Sequence, residues 1–395
     1  MLAAAALAPA WAASEHSGHD AQNAWEKSLA RPALAVGVAF DARGRLWRAQ
    51  VENGQVRVSR SDDGGMTFTA SVAVNRAAER IAADGENRPK LAFGKNGELY
   101  VSWTQSLDQP YSGHVRFSRS LDDGRSFSPP LTVNDNSDII SHRFDSLLVD
   151  GRGRVWLVWL DKRDASAAKQ RGQAYTGAAV YYALSDDRGA SFAPNRRLAA
   201  HSCECCRIAL ARDTDGTPVA FWRHVFGKNM RDHALARLDD AATLRRVSHE
   251  QWAVDACPHH GPTLGIGADG VMHLAWFSGA EQQRGLFYAQ SRDRGQTIST
   301  PLAFGNPQAQ AGHPQVLALG TRVWLVWKEF DGQQALIRAQ ASHDGGRRFA
   351  APITLATSIS ASDHPLLLSD GGQFYLSWNS AAEGHRLVRL AGDSP

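Results

Sequence analysis

A chain of 395 residues with 43% hydrophobic and 21% charged residues can bury a sizeable core, which excludes a disordered protein. The 43 Lys and Arg against 40 Asp and Glu leave a net charge of +3 with both signs interspersed, so no basic stripe argues for nucleic acid. No run approaches the roughly 18 apolar residues of a membrane-spanning helix, while 35 glycines and 12 tryptophans speak for tight turns and β structure.

The first residues, MLAAAALAPAWAA, are apolar and end in small side chains, with Ala10-Trp11-Ala12 resembling an A-x-A cleavage site. A charged start is missing. The pattern predicts a signal peptide or its remnant over 1–13, a flexible polar leader over 14–22, and a periplasmic or secreted protein. Cysteines can be oxidised in those compartments.

From Ala33 onward one unit returns seven times: an apolar strand, a Gly/Asp turn and a second strand bearing Trp. The copies begin at Ala33, Lys90, Ser146, Ile208, Thr263, Gln315 and Leu366. Their spacing of about 50–60 residues is the length of four short strands with turns. A second motif, S-x-D-x-G-x-x-F, follows at Ser61/Asp63/Gly65/Phe68, Ser120/Asp122/Gly124/Phe127, Ser185/Asp187/Gly189/Phe192 and Ser342/Asp344/Gly346/Phe349. It also occurs at Ser291/Asp293/Gly295, with Ile298 in the aromatic place, and has decayed to LDDAATL near Asp239. In such a turn the Asp caps backbone N–H groups, the Gly takes a positive φ, and the aromatic fills the space between sheets. The repeats predict an all-β protein: a seven-bladed β-propeller of four-stranded antiparallel blades, one domain over 23–395. A six-bladed ring is the alternative. The last repeat lacks an outer strand, which residues 23–29 would supply, closing the ring without an exposed edge.

These repeats resemble the Asp-box repeats of the sialidase-like β-propellers, over nearly the whole chain. The pairing of HSCECCRI with ACPHHGP resembles a bacterial, exported subgroup of that family. The resemblance implies the architecture. It also implies a ligand on the face that carries the connections between blades and the turns between second and third strands.

Residues ahead of the inner strands fall on that face. In chain order they are Arg31, Arg88, His142/Arg143/Asp145, Cys203/Cys205/Cys206/Arg207, Cys257/His259/His260, His313 and His364. Loops after the Trp strands add Asp161, Lys162, Arg163, Arg223, His224, Lys328 and Glu329. Cys203, Cys205, Cys206 and Cys257, with His259 or His260, offer soft ligands suited to copper, as Cu(I), or zinc. Disulfides such as Cys203–Cys206 or Cys205–Cys257, or a redox thiol, are competing uses of the same residues. Arg88, Arg143, Arg207 and Arg223, with Asp145, His313 and His364, form a candidate set for a small anionic or glycan ligand.

Sialidase chemistry needs an arginine triad for the sugar carboxylate, a Tyr nucleophile with an acidic partner, and an Asp acid/base. The family's R-I-P motif is matched by Arg31-Pro32 and Arg88-Pro89 without the Ile. Tyr111 and Tyr175 lie on loops of the ligand face with no evident Glu partner, and histidines stand where the last arginine and the tyrosine belong. The chain therefore reads as an exported propeller that binds a metal or an anionic ligand at a Cys/His/Arg rim. An exo-sialidase-type glycoside hydrolase and a protein-interaction scaffold are the alternatives.

Overall fold

The computed structural model describes residues 33–239 and 243–391 and arranges them as seven antiparallel blades of a β-propeller, not six. Each sequence repeat is one blade, and its strands follow chain order from the axis outwards. The predicted signal segment 1–13, leader 14–22, closing strand 23–29 and Arg31 lie outside the described residues, as does the end of the decayed box at 240–242. No helix among the described residues is long and apolar enough to cross a membrane.

The inner strands are Gly37–Phe40, Lys90–Phe93, His142–Val149, Ala209–Arg212, Thr263–Ile266, Gly312–Leu319 and Leu366–Ser369. The first and third to sixth blades have four strands. The second has five, because Ile81–Ala82 and Lys90–Phe93 both pair with Leu99–Ser106. The seventh shows three among the described residues. The ring closes through packing of Val36, Val38 and Leu46 against Leu368, and through Asn379 Nδ2 donating to the Leu34 carbonyl at 2.9 Å.

Second strands carry the bulk of the core. Trp103, Trp159, Trp222, Trp276, Trp327 and Trp378 sit at one position of successive repeats and are among the most buried side chains. A buried indole must place its N–H, and each does. Trp103 donates to Glu79, Trp159 to Asp161, Trp222 to Ser202, Trp276 to Glu250, Trp327 to Glu329 and Trp378 to the Asp363 carbonyl, at 2.7–3.1 Å.

The five S-x-D-x-G turns share one hydrogen-bond pattern. In the second, Ser120 Oγ donates to Asp122 at 2.7 Å and accepts from Gly124 N at 2.9 Å, while Asp122 accepts from Ser126 N at 2.9 Å. The glycine is required twice. Gly189 has φ +76°, and a Cβ there would lie 2.7 Å from the Phe117 ring of the preceding blade. The aromatic then closes the seam: Phe192 meets Phe117 edge-on at 5.0 Å, and Phe349 meets Tyr288 likewise at 5.0 Å.

Burial lowers the pKa of His224, His273 and His385 from 6.5 to about 4. The unfolded chain takes up these protons below pH 6.5, whereas the folded protein stays neutral until about pH 4. Stability is therefore complete above pH 6.5 and falls across that window, by about 1.4 kcal/mol per pH unit for each histidine. Asp363, raised to about 6 by burial, and Glu250, raised by the same cause, work in the opposite direction but are two groups against three. A clearly lower urea midpoint at pH 5 than at pH 7 is the expected result. Equal midpoints would contradict the burial of these rings.

Candidate functional site

The site begins with an interruption in the second blade. Ile81–Ala82 pairs with Gln105 and Thr104, and Lys90–Phe93 pairs with Ser102 to Leu99 on the same edge. Between them residues 83–89 leave the sheet and carry Glu86 into the channel. Glu86 is 6% exposed and bridges distant parts of the ring. Its Oε1 lies 2.9 Å from His313 Nδ1 at the start of the sixth blade. Both carboxylate oxygens accept from Arg207 Nη1, at 3.1 and 3.2 Å, just ahead of the fourth.

Three imidazoles gather beside this carboxylate. The His364 ring stacks on His313 with centroids 3.3 Å apart and planes 16° from parallel. The His260 ring lies 4.5 Å from His313 on centroids and stacks on Phe277 at 4.2 Å. Glycines make the room. A Cβ on Gly85 would stand 3.0 Å from His364 Nε2, one on Gly312 2.6 Å from His260 Cε1, and one on Gly261 2.7 Å from Glu86 Oε2.

Burial favours the neutral acid of Glu86, yet the Arg207 guanidinium and His313 hold its carboxyl well below the usual carboxylate range. Burial pushes His260, His313 and His364 down, so all three rings are neutral bases at neutral pH. Lys90 is pushed down by the same cause, against the pull of Asp145. His260 Nδ1, His364 Nδ1 and Lys90 Nζ are buried with no hydrogen-bond partner among the described residues, an uncommon state for groups of this kind.

The arginines brace the loops that present these groups. Arg207 also donates to the carbonyls of Pro262 at 3.0 Å and Pro314 at 2.7 Å. Arg88 pairs with Asp363 at 3.2 Å and donates to the Val36 and His364 carbonyls. Arg223 is buried and donates to the carbonyls of Arg231, His260 and Phe277 at 2.8–3.1 Å. Arg143 is buried, 5.1 Å from the centre of the Phe144 ring. Asp145 accepts from Ser102 Oγ at 2.6 Å and Thr104 Oγ1 at 3.1 Å, with Lys90 Nζ 3.9 Å away.

A separate cluster follows the strand Arg196–Ser202. Cys203, Cys205 and Cys206 are buried, with the sulfur of Cys203 3.8 Å from that of Cys205 and 3.6 Å from that of Cys206. No pair of described cysteines is at bonding distance. Arg231 Nη1 stands 3.2 Å from Cys203 Sγ. Hydrogen bonds from Cys205 and Cys206, with the Arg231 charge, push the Cys203 thiol well down, while burial pushes Cys205 and Cys206 up. Cys257 lies on the exposed side, near enough to Cys205 to raise its thiol further, with its sulfur 3.6 Å from Glu204 Oε1. His259 is exposed and stands outside both clusters.

Reasoning from sequence missed Glu86, Lys90 and Arg231. Glu86 precedes Arg88-Pro89 by two residues, a position where no other repeat carries an acid, and that irregularity was the available signal. Nothing in the sequence marks Arg231.

No protein-family model and no curated protein matches the chain. Among solved structures, an ulvan lyase (a polysaccharide lyase) aligns with a TM-score of 0.56 over 92% of each chain at 10% identity. A lectin from Burkholderia pseudomallei gives 0.55 over 91% of this chain and 99% of its own, at 10% identity. A Hadza microbial sialidase gives 0.51 over 86% and 74%, at 15% identity. The likeness is one of fold.

Proposed function

We propose that the protein is an exported propeller that binds a soft metal ion, Cu(I) ahead of Zn²⁺, on Cys203, Cys205 and Cys206. The observation that carries this reading is the convergence of three buried sulfurs, with Arg231 Nη1 3.2 Å from one of them. Sulfurs bound to one ion at about 2.3 Å stand about 3.8–4.0 Å apart in tetrahedral or trigonal geometry. The sulfurs of Cys205 and Cys206 stand 3.8 and 3.6 Å from that of Cys203, close to that spacing, and all three lie within 4.8 Å of one another. Arg231 offsets the negative charge that three thiolates would build in a buried place, and Cys257 at the exposed side is placed to hand the ion in or to become a fourth ligand. Soft thiolates select Cu(I), and a buried three-sulfur set suits its low coordination number.

The experiment is a Cu(I) titration of the reduced protein against a chromogenic chelator, with Zn²⁺ in parallel. One Cu(I) per chain is expected, and Cys203→Ser is expected to weaken it by more than about 100-fold, beyond the cost of losing an outer-shell partner. Equal binding by the two proteins, or a purified protein with no titratable thiols, would overturn the proposal.

A second reading, an anionic ligand on the same face, has support from Lys90. Its Nζ is buried with no hydrogen-bond partner among the described residues, and the Asp145 carboxylate stands 3.9 Å away. The ulvan lyase of similar fold was solved with a glucuronate-containing chain, and an acidic sugar is the ligand class that Lys90 would attract.

A further inference from the structure

We infer that Glu86, His313 and His364 form a second metal centre in the channel, independent of the thiol cluster, that takes a divalent ion of the Zn²⁺ type and leaves coordination positions open. One carboxylate oxygen and two imidazole nitrogens, all within 4.8 Å of one another, make the donor set. Two nitrogens and one oxygen suit borderline ions, whereas the three sulfurs suit a soft one. The two clusters therefore differ in the ion they prefer.

Three features of the site support a ligand role over a packing role. The chain breaks a strand to deliver Glu86, which a purely structural blade would not require. Two glycines, at 85 and 261, adjoin donor side chains, where a Cβ would crowd His364 Nε2 and Glu86 Oε2, and Gly312 does the same for His260. His364 Nδ1 and His260 Nδ1, on the two rings that pack against His313, are buried polar atoms with no partner among the described residues, so each retains a lone pair or proton without a use. Arg207 is then the outer partner that orients the Glu86 carboxylate, as second-shell groups orient metal ligands elsewhere. With three protein donors the ion keeps positions for water or an organic ligand, the pattern of centres that bind or activate small molecules. His260, 4.5 Å from His313 on centroids, is the side chain placed to face such a ligand.

The test uses Co²⁺ as a spectroscopic stand-in for Zn²⁺ on the full-length protein. A Co²⁺ ion held by nitrogen and oxygen shows visible d–d bands without the intense near-ultraviolet band of a thiolate complex. One Co²⁺ per chain with that signature, displaced by Zn²⁺, is the expected result. His364→Ala leaves the Glu86–Arg207 pair in place and is expected to weaken the ion at least tenfold while far-ultraviolet dichroism stays unchanged. Glu86→Gln, which keeps the shape of the side chain, should do the same. The proposal is overturned if the only Co²⁺ signal carries thiolate character, or if both variants bind Co²⁺ as the parent does. Because the signature separates the two centres, failure here leaves the thiol proposal untouched, and the reverse also holds.

Discussion

Replacing Arg207 with methionine is expected to lower folding stability by about 3–5 kcal/mol, the usual penalty for leaving a buried charge without its partner. Glu86 keeps 2% of its side-chain surface exposed and Arg207 keeps 18%. The guanidinium supplies both carboxylate oxygens of Glu86 and the carbonyls of Pro262 and Pro314. Methionine fills much of the same space but offers no donor, so Glu86 would retain only His313, and two loop carbonyls would lose their partner. The pairwise logic gives a sharper check. Adding Glu86→Gln to Arg207→Met removes the stranded charge, so the double variant should be more stable than Arg207→Met alone. Urea unfolding of the four proteins of this cycle measures the coupling. A loss under about 1 kcal/mol in Arg207→Met, or no recovery in the double variant, would show that the pair is not the brace between the second and fourth blades.

How much of this was legible in the sequence depends on which features repeat. The blades were legible because five of the seven carry a turn with its own chemistry: serine, aspartate and glycine at fixed offsets close it whatever the rest of the chain does. The buried tryptophans were legible for the same reason, since they return at one place in successive second strands. Phase alone places the loops of Arg207, His260, His313 and His364 on one face, and the structure brings those four side chains together. Glu86 was not legible, because it lies on an excursion in which the strand is broken and no repeat applies. Arg223 shows a different limit. Its position at a strand end was readable, but a long side chain can reach several acceptors, and only the packed structure shows it donating to three carbonyls. The cysteines show a third limit. C-x-C-C says that three sulfurs are close in the chain, but whether they converge depends on the backbone of the turn. Here His201, at φ +54°, precedes the turn and Arg231 stands over it, and neither follows from the motif.

Gly261→Ala is expected to cost about 3 kcal/mol, at the upper end of what one added methyl does in a packed region. The added Cβ would stand 2.7 Å from Glu86 Oε2 and 2.8 Å from the backbone nitrogen of Arg207, and would overlap Arg207 Cγ. A flexible side-chain tip can swing away. The Arg207 backbone cannot, because it leads from the cysteine turn into the fourth blade. Gly97→Ala is the matched comparison. Gly97 has φ +88° with nothing within 4 Å of the added carbon, so its substitution carries only the left-handed backbone penalty of about 1–2 kcal/mol. The two variants thus separate crowding from backbone conformation. Gly261→Ala should lose more stability than Gly97→Ala and should also weaken Co²⁺, because crowding at Gly261 displaces the carboxylate that His313 faces. Gly97, on a turn remote from the channel, should leave Co²⁺ binding unchanged. If Gly261→Ala costs no more than Gly97→Ala in urea, the loop before the fifth blade does not press on Arg207, and the tight channel that presents Glu86 to the histidines is wrong.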